Sequence, residues 1–100
     1  MTSDSAAPEL DEAEVEQRFR RLDGRIIDCI DRAREGWDVS GKVVVGFRLE
    51  RSGRVQKVRV TAPALMQRAG IYACIAPLVK GLHYPASGRS LIMSYPYRLD

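Results

Sequence analysis

The 100-residue chain has one histidine, His83, and two cysteines, Cys29 and Cys74. A lone histidine with no cysteine or carboxylate cluster beside it is a poor metal ligand or catalytic base. Ser3, Ser5, Ser40, Ser52, Ser87, Ser90 and Ser94 fall mostly in loop-like sequence, and none has a visible base partner, so no activated nucleophile is apparent. A phosphate-binding loop is also missing. Gly41 and Gly46 have the spacing, but Phe47 stands where the lysine belongs. No apolar run approaches the ~20 residues that cross a membrane. The start, Met-Thr-Ser-Asp-Ser-Ala-Ala-Pro, lacks the basic-then-apolar order of a signal segment. These absences argue against an enzyme and leave no expected cofactor, metal or small-molecule substrate.

What remains is an ordinary globular composition, 45% apolar and 29% charged, enough for one domain with a modest core. The net charge of +3 hides an asymmetry. Residues 1–16 carry Asp4, Glu9, Asp11, Glu12, Glu14 and Glu16 and no base. The acidic cluster reads as a solvated helix start, since its spacing matches no calcium loop. Further on, Lys42, Arg48, Arg51, Arg54, Lys57 and Arg59 face Glu50 alone. That block is either a surface for an acidic partner or nucleic acid, or the solvated face of a hairpin. The bases alternate with valines rather than with exposed aromatics, which favours the second reading.

Residues 1–8 are small and polar and end at Pro8; they read as a disordered tail, with the domain occupying 9–100. From Glu9 to about Arg34, Val15, Phe19, Leu22, Ile26, Cys29 or Ile30, and Ala33 recur every three or four residues, the stripe of an amphipathic helix. Gly24 is its weak point, Gly36 its stop, and Trp37 is expected to cap the core. Lys42–Glu50 and Arg54–Thr61 read as a hairpin around Arg51-Ser52-Gly53-Arg54. Core valines shift parity from Val55 to Val58 and Val60, which predicts a bulge or ragged start. A second helix spans Ala64 to Lys80, with Leu65, Ala69, Tyr72, Ile75, Leu78 and Val79 on its apolar side. Pro77 should kink or tighten its last turn, and Gly81 ends it.

The chain closes with a strand. Leu91, Met93, Tyr95, Tyr97 and Leu99 alternate with Ile92, Ser94, Pro96 and Arg98, the period of a strand with one buried face. Proline cannot donate to a ladder, so Pro96 predicts an edge position. The expected fold is α+β in the order α-β-β-α-β, a three-stranded antiparallel sheet with two helices packed on one face. Its last strand has an open edge, to be protected or used to bind another strand. Cys29 and Cys74 each sit mid-helix among apolar neighbours. They are either two buried thiols or a bridge between the helices.

Several short stretches carry a family likeness. They are Gly41-Lys42-Val43-Val44-Val45-Gly46-Phe47-Arg48-Leu49, Ser52-Gly53-Arg54-Val55, Val58-Arg59-Val60, Cys74-Ile75, Leu82-His83-Tyr84-Pro85 and Tyr95-Pro96-Tyr97. Across roughly residues 22–99 the chain resembles the TonB C-terminal-like domains, closest to the AgmX/PglI C-terminal type of myxobacterial gliding-motility proteins. Leu82, where the family often has an aromatic, and Pro77 depart from the pattern.

The resemblance implies a periplasmic interaction module rather than an enzyme. Such a module is the C-terminal domain of a longer, inner-membrane-anchored protein in an energy-transducing or gliding-motility complex of the cell envelope. It implies a Cys29–Cys74 disulfide. It also implies that the last strand, Ser90 to Leu99, pairs with an extended segment of an envelope or outer-membrane protein. The expected binding residues are Leu91, Ile92, Met93, Ser94, Tyr95, Tyr97 and Arg98, with side chains such as Ile92, Ser94, Tyr95 and Arg98 giving register and selectivity. The alternatives are a self-associating domain, edge-paired or strand-swapped, and nucleic-acid binding through the basic hairpin.

Overall fold

In the computed structural model, residues 11–99 are described. The expected tail at 1–8 lies outside them. The elements are α1 (Glu12–Phe19), a 3₁₀ turn (Arg20–Leu22), α2 (Asp23–Arg34), β1 (Lys42–Leu49), β2 (Val55–Thr61), α3 (Ala64–Arg68), α4 (Ile71–Lys80) and β3 (Leu91–Arg98). The fold is α+β, with helices on one face of an antiparallel sheet ordered β2-β1-β3.

β1 sets the layering. Val43, Val45, Phe47 and Leu49 are buried, while Lys42, Val44, Gly46 and Arg48 face away from the helices and are exposed or half-buried. Val58 and Val60 of β2, and Leu91, Tyr95 and Tyr97 of β3, join the buried face. The helices meet it with Val15, Phe19, Ile26, Cys29, Ile30, Ala33, Met66, Ile71, Ile75, Ala76 and Val79. The parity shift of the valines has its expected cause. The β1–β2 register slips between Gly46 and Arg48, and Lys57 adopts a left-handed backbone with φ +52°. This one-residue bulge returns both Val55 and Val58 to the core side. A lysine in that conformation carries strain of roughly 1–2 kcal/mol.

Three expectations are corrected. The first helical stretch breaks at Arg20–Leu22, not at Gly24. Arg20 there lies over the rings of Tyr95 and Tyr97, and Asp23 accepts the Tyr97 hydroxyl. Docking on β3, rather than glycine propensity, accompanies the break. The second stretch is two helices, because Gly70 takes a left-handed φ of +87° between them. The turn changes the phase: Met66, Ile71 and Ala76 are buried, whereas Leu65, Ala69 and Tyr72 are exposed. Trp37 does not cap the core; it is 62% exposed. Glu35 and Gly36, both left-handed, end α2 and turn the chain outward before it.

The connections are tied to the sheet. Tyr84 donates its N–H to Gly53 O at 3.1 Å, and Arg54 bridges His83. At Gly53, φ is +92° and a Cβ would lie 1.9 Å from Tyr84 O, so only glycine fits. This tie brings the chain from α4 back past the hairpin turn before it enters β3.

Cys29 of α2 and Cys74 of α4 form a disulfide, with their Cα atoms 5.8 Å apart. It closes a loop of 45 residues, worth up to about 4 kcal/mol through restriction of the unfolded chain. A Cys29→Ala/Cys74→Ala variant is therefore expected to lose about 2–4 kcal/mol of stability in urea unfolding. A variant as stable as its parent would contradict the bridge's role.

Candidate functional site

β3 pairs with β1 along its full length, from Leu49↔Leu91 to Lys42↔Arg98, and among the described residues no strand lies on its other side. The phase of its backbone follows from one bond. Leu99 donates its N–H to Gly41 O at 3.1 Å, extending the register past the strand end. Antiparallel pairs alternate between hydrogen-bonded and non-bonded. Tyr97, Tyr95, Met93 and Leu91 therefore turn their N–H and C=O groups toward β1. Ile92, Ser94, Pro96 and Arg98 turn theirs to the open edge. The edge offers donors at Ile92, Ser94 and Arg98 and carbonyls at all four residues. Pro96 stands where a missing N–H costs the sheet nothing, because it would have pointed outward.

The expected site residues divide accordingly. Ile92, Ser94 and Arg98 have exposed side chains and outward backbone groups, and Ile92 is 79% exposed. Leu91, Tyr95 and Tyr97 are buried, and Met93 is half-buried. Tyr95 is thus corrected as a selectivity residue: its ring stacks 4.3 Å from that of Phe19 and lies near Phe47. The open edge also includes Pro96, the residue from which the sequence predicts the edge position.

A layer of interactions under β3 holds the edge in place. Tyr97 donates its hydroxyl to Asp23 Oδ1 at 2.6 Å. Arg20 ion-pairs with Asp23 and Glu16, each at 3.4 Å, and covers Tyr95 at 5.2 Å. Beyond the strand, Arg34 donates to Leu99 O at 2.6 Å. Tyr84 donates to Val15 O at 3.1 Å. No protein-family model, curated protein or solved structure matches the chain. Among the described residues no group of three or more histidine, cysteine or acidic side chains is placed to hold a metal.

The tyrosine hydroxyls differ in their partners. Tyr95 Oη is buried with no hydrogen-bond partner among the described residues, which carries a desolvation cost. Tyr95→Phe is expected to leave stability unchanged or raise it by up to about 1 kcal/mol, while Tyr97→Phe lowers it by about 1 kcal/mol through loss of its bond to Asp23. Thermal or urea unfolding of the two variants checks this; equal effects would contradict the hydroxyl assignments.

Burial, the largest cause, pushes the phenols of Tyr84 and Tyr95 up to about 12. Arg18 partly opposes this at Tyr84, and Tyr84 and Glu16 add to it at Tyr95. Tyr97 is raised by burial and then by its bond to Asp23. Unfolded phenols ionise near 10. Between about 10 and 12 the unfolded chain therefore binds fewer protons than the folded one, and stability falls as pH rises. Below about pH 10 this contribution is fully present. In an alkaline titration, the tyrosinate absorbance of these three residues is expected to rise together with loss of the far-UV signal. Their complete ionisation near pH 10 with the fold intact would contradict the burial.

Proposed function

We propose that the chain is a protein-interaction domain that takes up an extended segment of a partner by strand addition at β3. The observation that carries this reading is the row of outward backbone groups at Ile92, Ser94, Pro96 and Arg98. An added strand satisfies them with main-chain hydrogen bonds, which give affinity, while its alternate side chains give selectivity. The two sheet edges differ in a way that favours β3. The β2 edge is distorted by the bulge at Lys57, and Gln67 Nε2 donates to Val60 O at 2.8 Å. Bulges and edge charges are common devices against unwanted pairing. The β3 edge carries Pro96 and the charge of Arg98 near its end, and the stretch from Ile92 to Ser94 before them is regular.

The resemblance to TonB C-terminal-like domains supports the same mode and supplies a setting. In that setting the domain works in the periplasm as the end of an inner-membrane-anchored protein, and its partner belongs to the cell envelope. A Cys29–Cys74 disulfide suits an oxidising compartment of this kind. Self-association is the second reading, favoured by the exposed Ile92 beside the open edge: two β3 strands pair antiparallel about a two-fold axis. Mass measured against concentration separates the two, since strict monomers at high concentration exclude it.

Ser94 provides the decisive substitution. Its N–H points outward, so Ser94→Pro removes a donor from the edge without removing a β1–β3 bond. Stability is expected to fall by only about 1 kcal/mol. Extended peptides selected on the parent domain from a displayed random library are expected to lose binding to Ser94→Pro. Undiminished binding by the folded variant would overturn strand addition at this edge.

A further inference from the structure

The three strands contain five bases, Lys42, Arg48, Lys57, Arg59 and Arg98, and no acid. All five are on the side away from the buried core. Lys42, Val44, Gly46 and Arg48 alternate with the buried residues of β1, Arg59 alternates with Val58 and Val60, and Arg98 follows Tyr97. Lys57 stands at the bulge, in a backbone conformation that non-glycine residues rarely adopt. Strained positions of this kind cluster at binding sites. On the helix side, by contrast, Arg18 and Arg20 are paired with Glu14, Glu16 and Asp23. Among the described residues none of the five sheet bases has an ion-pair partner.

This face is not flat. Gly46 stands on the central strand, and without its side chain a groove of about 410 Å³ opens across the sheet. Val44 and Gly46 give it an apolar lining, the backbone of Met93 borders it, and Arg48, Lys57 and Arg59 contribute charge. Ile92 and Ser94 line it on the β3 side. Three strands span roughly 10 Å between their outer axes, room for one extended chain lying over the face. Glu50, just past β1, lines a separate hollow with Arg48 and Arg51 and does not line this groove.

We propose that this groove is a second docking surface, for an acidic segment of a partner protein that also carries aliphatic side chains. Its carboxylates pair with Arg48, Lys57 and Arg59, and one aliphatic side chain rests over Gly46 against Val44 and Ile92. Charge complementarity of this kind sets register and speeds encounter. Nucleic acid is the other anionic class. Single-stranded sites stack bases on aromatic rings, but the aromatics of this sheet, Phe47, Tyr95 and Tyr97, are all buried on the helix side. The exposed apolar groups here are aliphatic, which favours the peptide. The surface is distinct from the β3 backbone edge, so either one can fail without the other.

The test uses the folded domain and a short synthetic peptide of alternating glutamate and leucine, followed by amide NMR. Saturable shifts are expected at Gly46, Arg48, Arg59 and Ile92, with no comparable binding by the matching lysine–leucine peptide. Arg48→Glu/Arg59→Glu, which alters only side chains outside the core, is expected to weaken binding about tenfold or more. Gly46→Val, which fills the groove and leaves its charge, is expected to do the same. Its new Cβ meets only Met93 O at 3.4 Å; if it fails to fold, the arginine variant decides alone. The proposal is overturned by no saturable binding, by shifts away from the groove, or by unchanged affinity in the arginine variant. Tighter binding of a short oligothymidylate at the same salt would overturn it too, in favour of nucleic acid.

Discussion

The structure depends on the phase of β1, among the described residues the one strand paired on both sides. Its buried residues, Val43, Val45, Phe47 and Leu49, commit one face of the sheet to the helices. Because the side-chain period is two, a slip of one residue in either neighbour would turn that neighbour's apolar set to solvent. β3 matches this phase without interruption. β2 matches it only by inserting the bulge at Lys57. The same phase links the surface features, because in a strand the side-chain direction and the backbone direction alternate together. In β3 the residues with solvent-facing side chains are therefore also those with outward N–H and C=O groups.

The helices stabilise that sheet through a few long-range ties. The disulfide joins α2 to α4. The stack of Phe19 on Tyr95 and the bond from Tyr97 to Asp23 join the end of α1 and the start of α2 to β3. The last two ties grip β3 from its core side. An edge strand anchored this way can accept a partner strand without first ordering itself, which lowers the entropic cost of binding. The Gly53–Tyr84 contact adds to this, since it fixes the path by which the chain reaches β3.

What was legible in the sequence is what depends on period and on single-residue chemistry. Alternation from Leu91 to Leu99 marked β3, and the proline at position 96 marked it as an edge. The shift from Val55 to Val58 and Val60 marked the bulge, because a one-residue insertion is what reverses parity. Less was legible where tertiary contact competes with local preference. Gly24 was the obvious weak point of the first helix, yet the chain breaks where Arg20 and Asp23 dock on the tyrosines of β3. Gly70 looked like one helical residue among many, but its left-handed backbone rephased α4 and exposed Tyr72. Trp37 carried the strongest hydrophobic signal in its loop and is exposed, since the turn at Glu35 and Gly36 decides its direction. Gly46 stood out in the sequence only for its spacing from Gly41 and as part of the strand stretch at residues 41–49. Its consequence, a groove across the bare face, required the neighbouring strands in place.

The bare face and the open edge present different chemistry to a partner. Strand addition as proposed for the edge would recognise backbone, which every extended chain has, and on its own would discriminate poorly. Discrimination must come from side chains, and those that the edge residues display, at Ile92, Ser94, Pro96 and Arg98, include only one charge. The other four bases lie further in, on β1 and β2, about 10–14 Å from the axis of any strand added beside β3. Long lysine and arginine side chains close part of that distance, but the contacts at Lys57 and Arg59 lie beyond a single added strand. A partner that uses both surfaces therefore needs two segments, one paired along β3 and one crossing the face. Joining them makes the second contact intramolecular and multiplies two modest affinities. The proposed site on the bare face would thus supply the selectivity that the edge alone lacks.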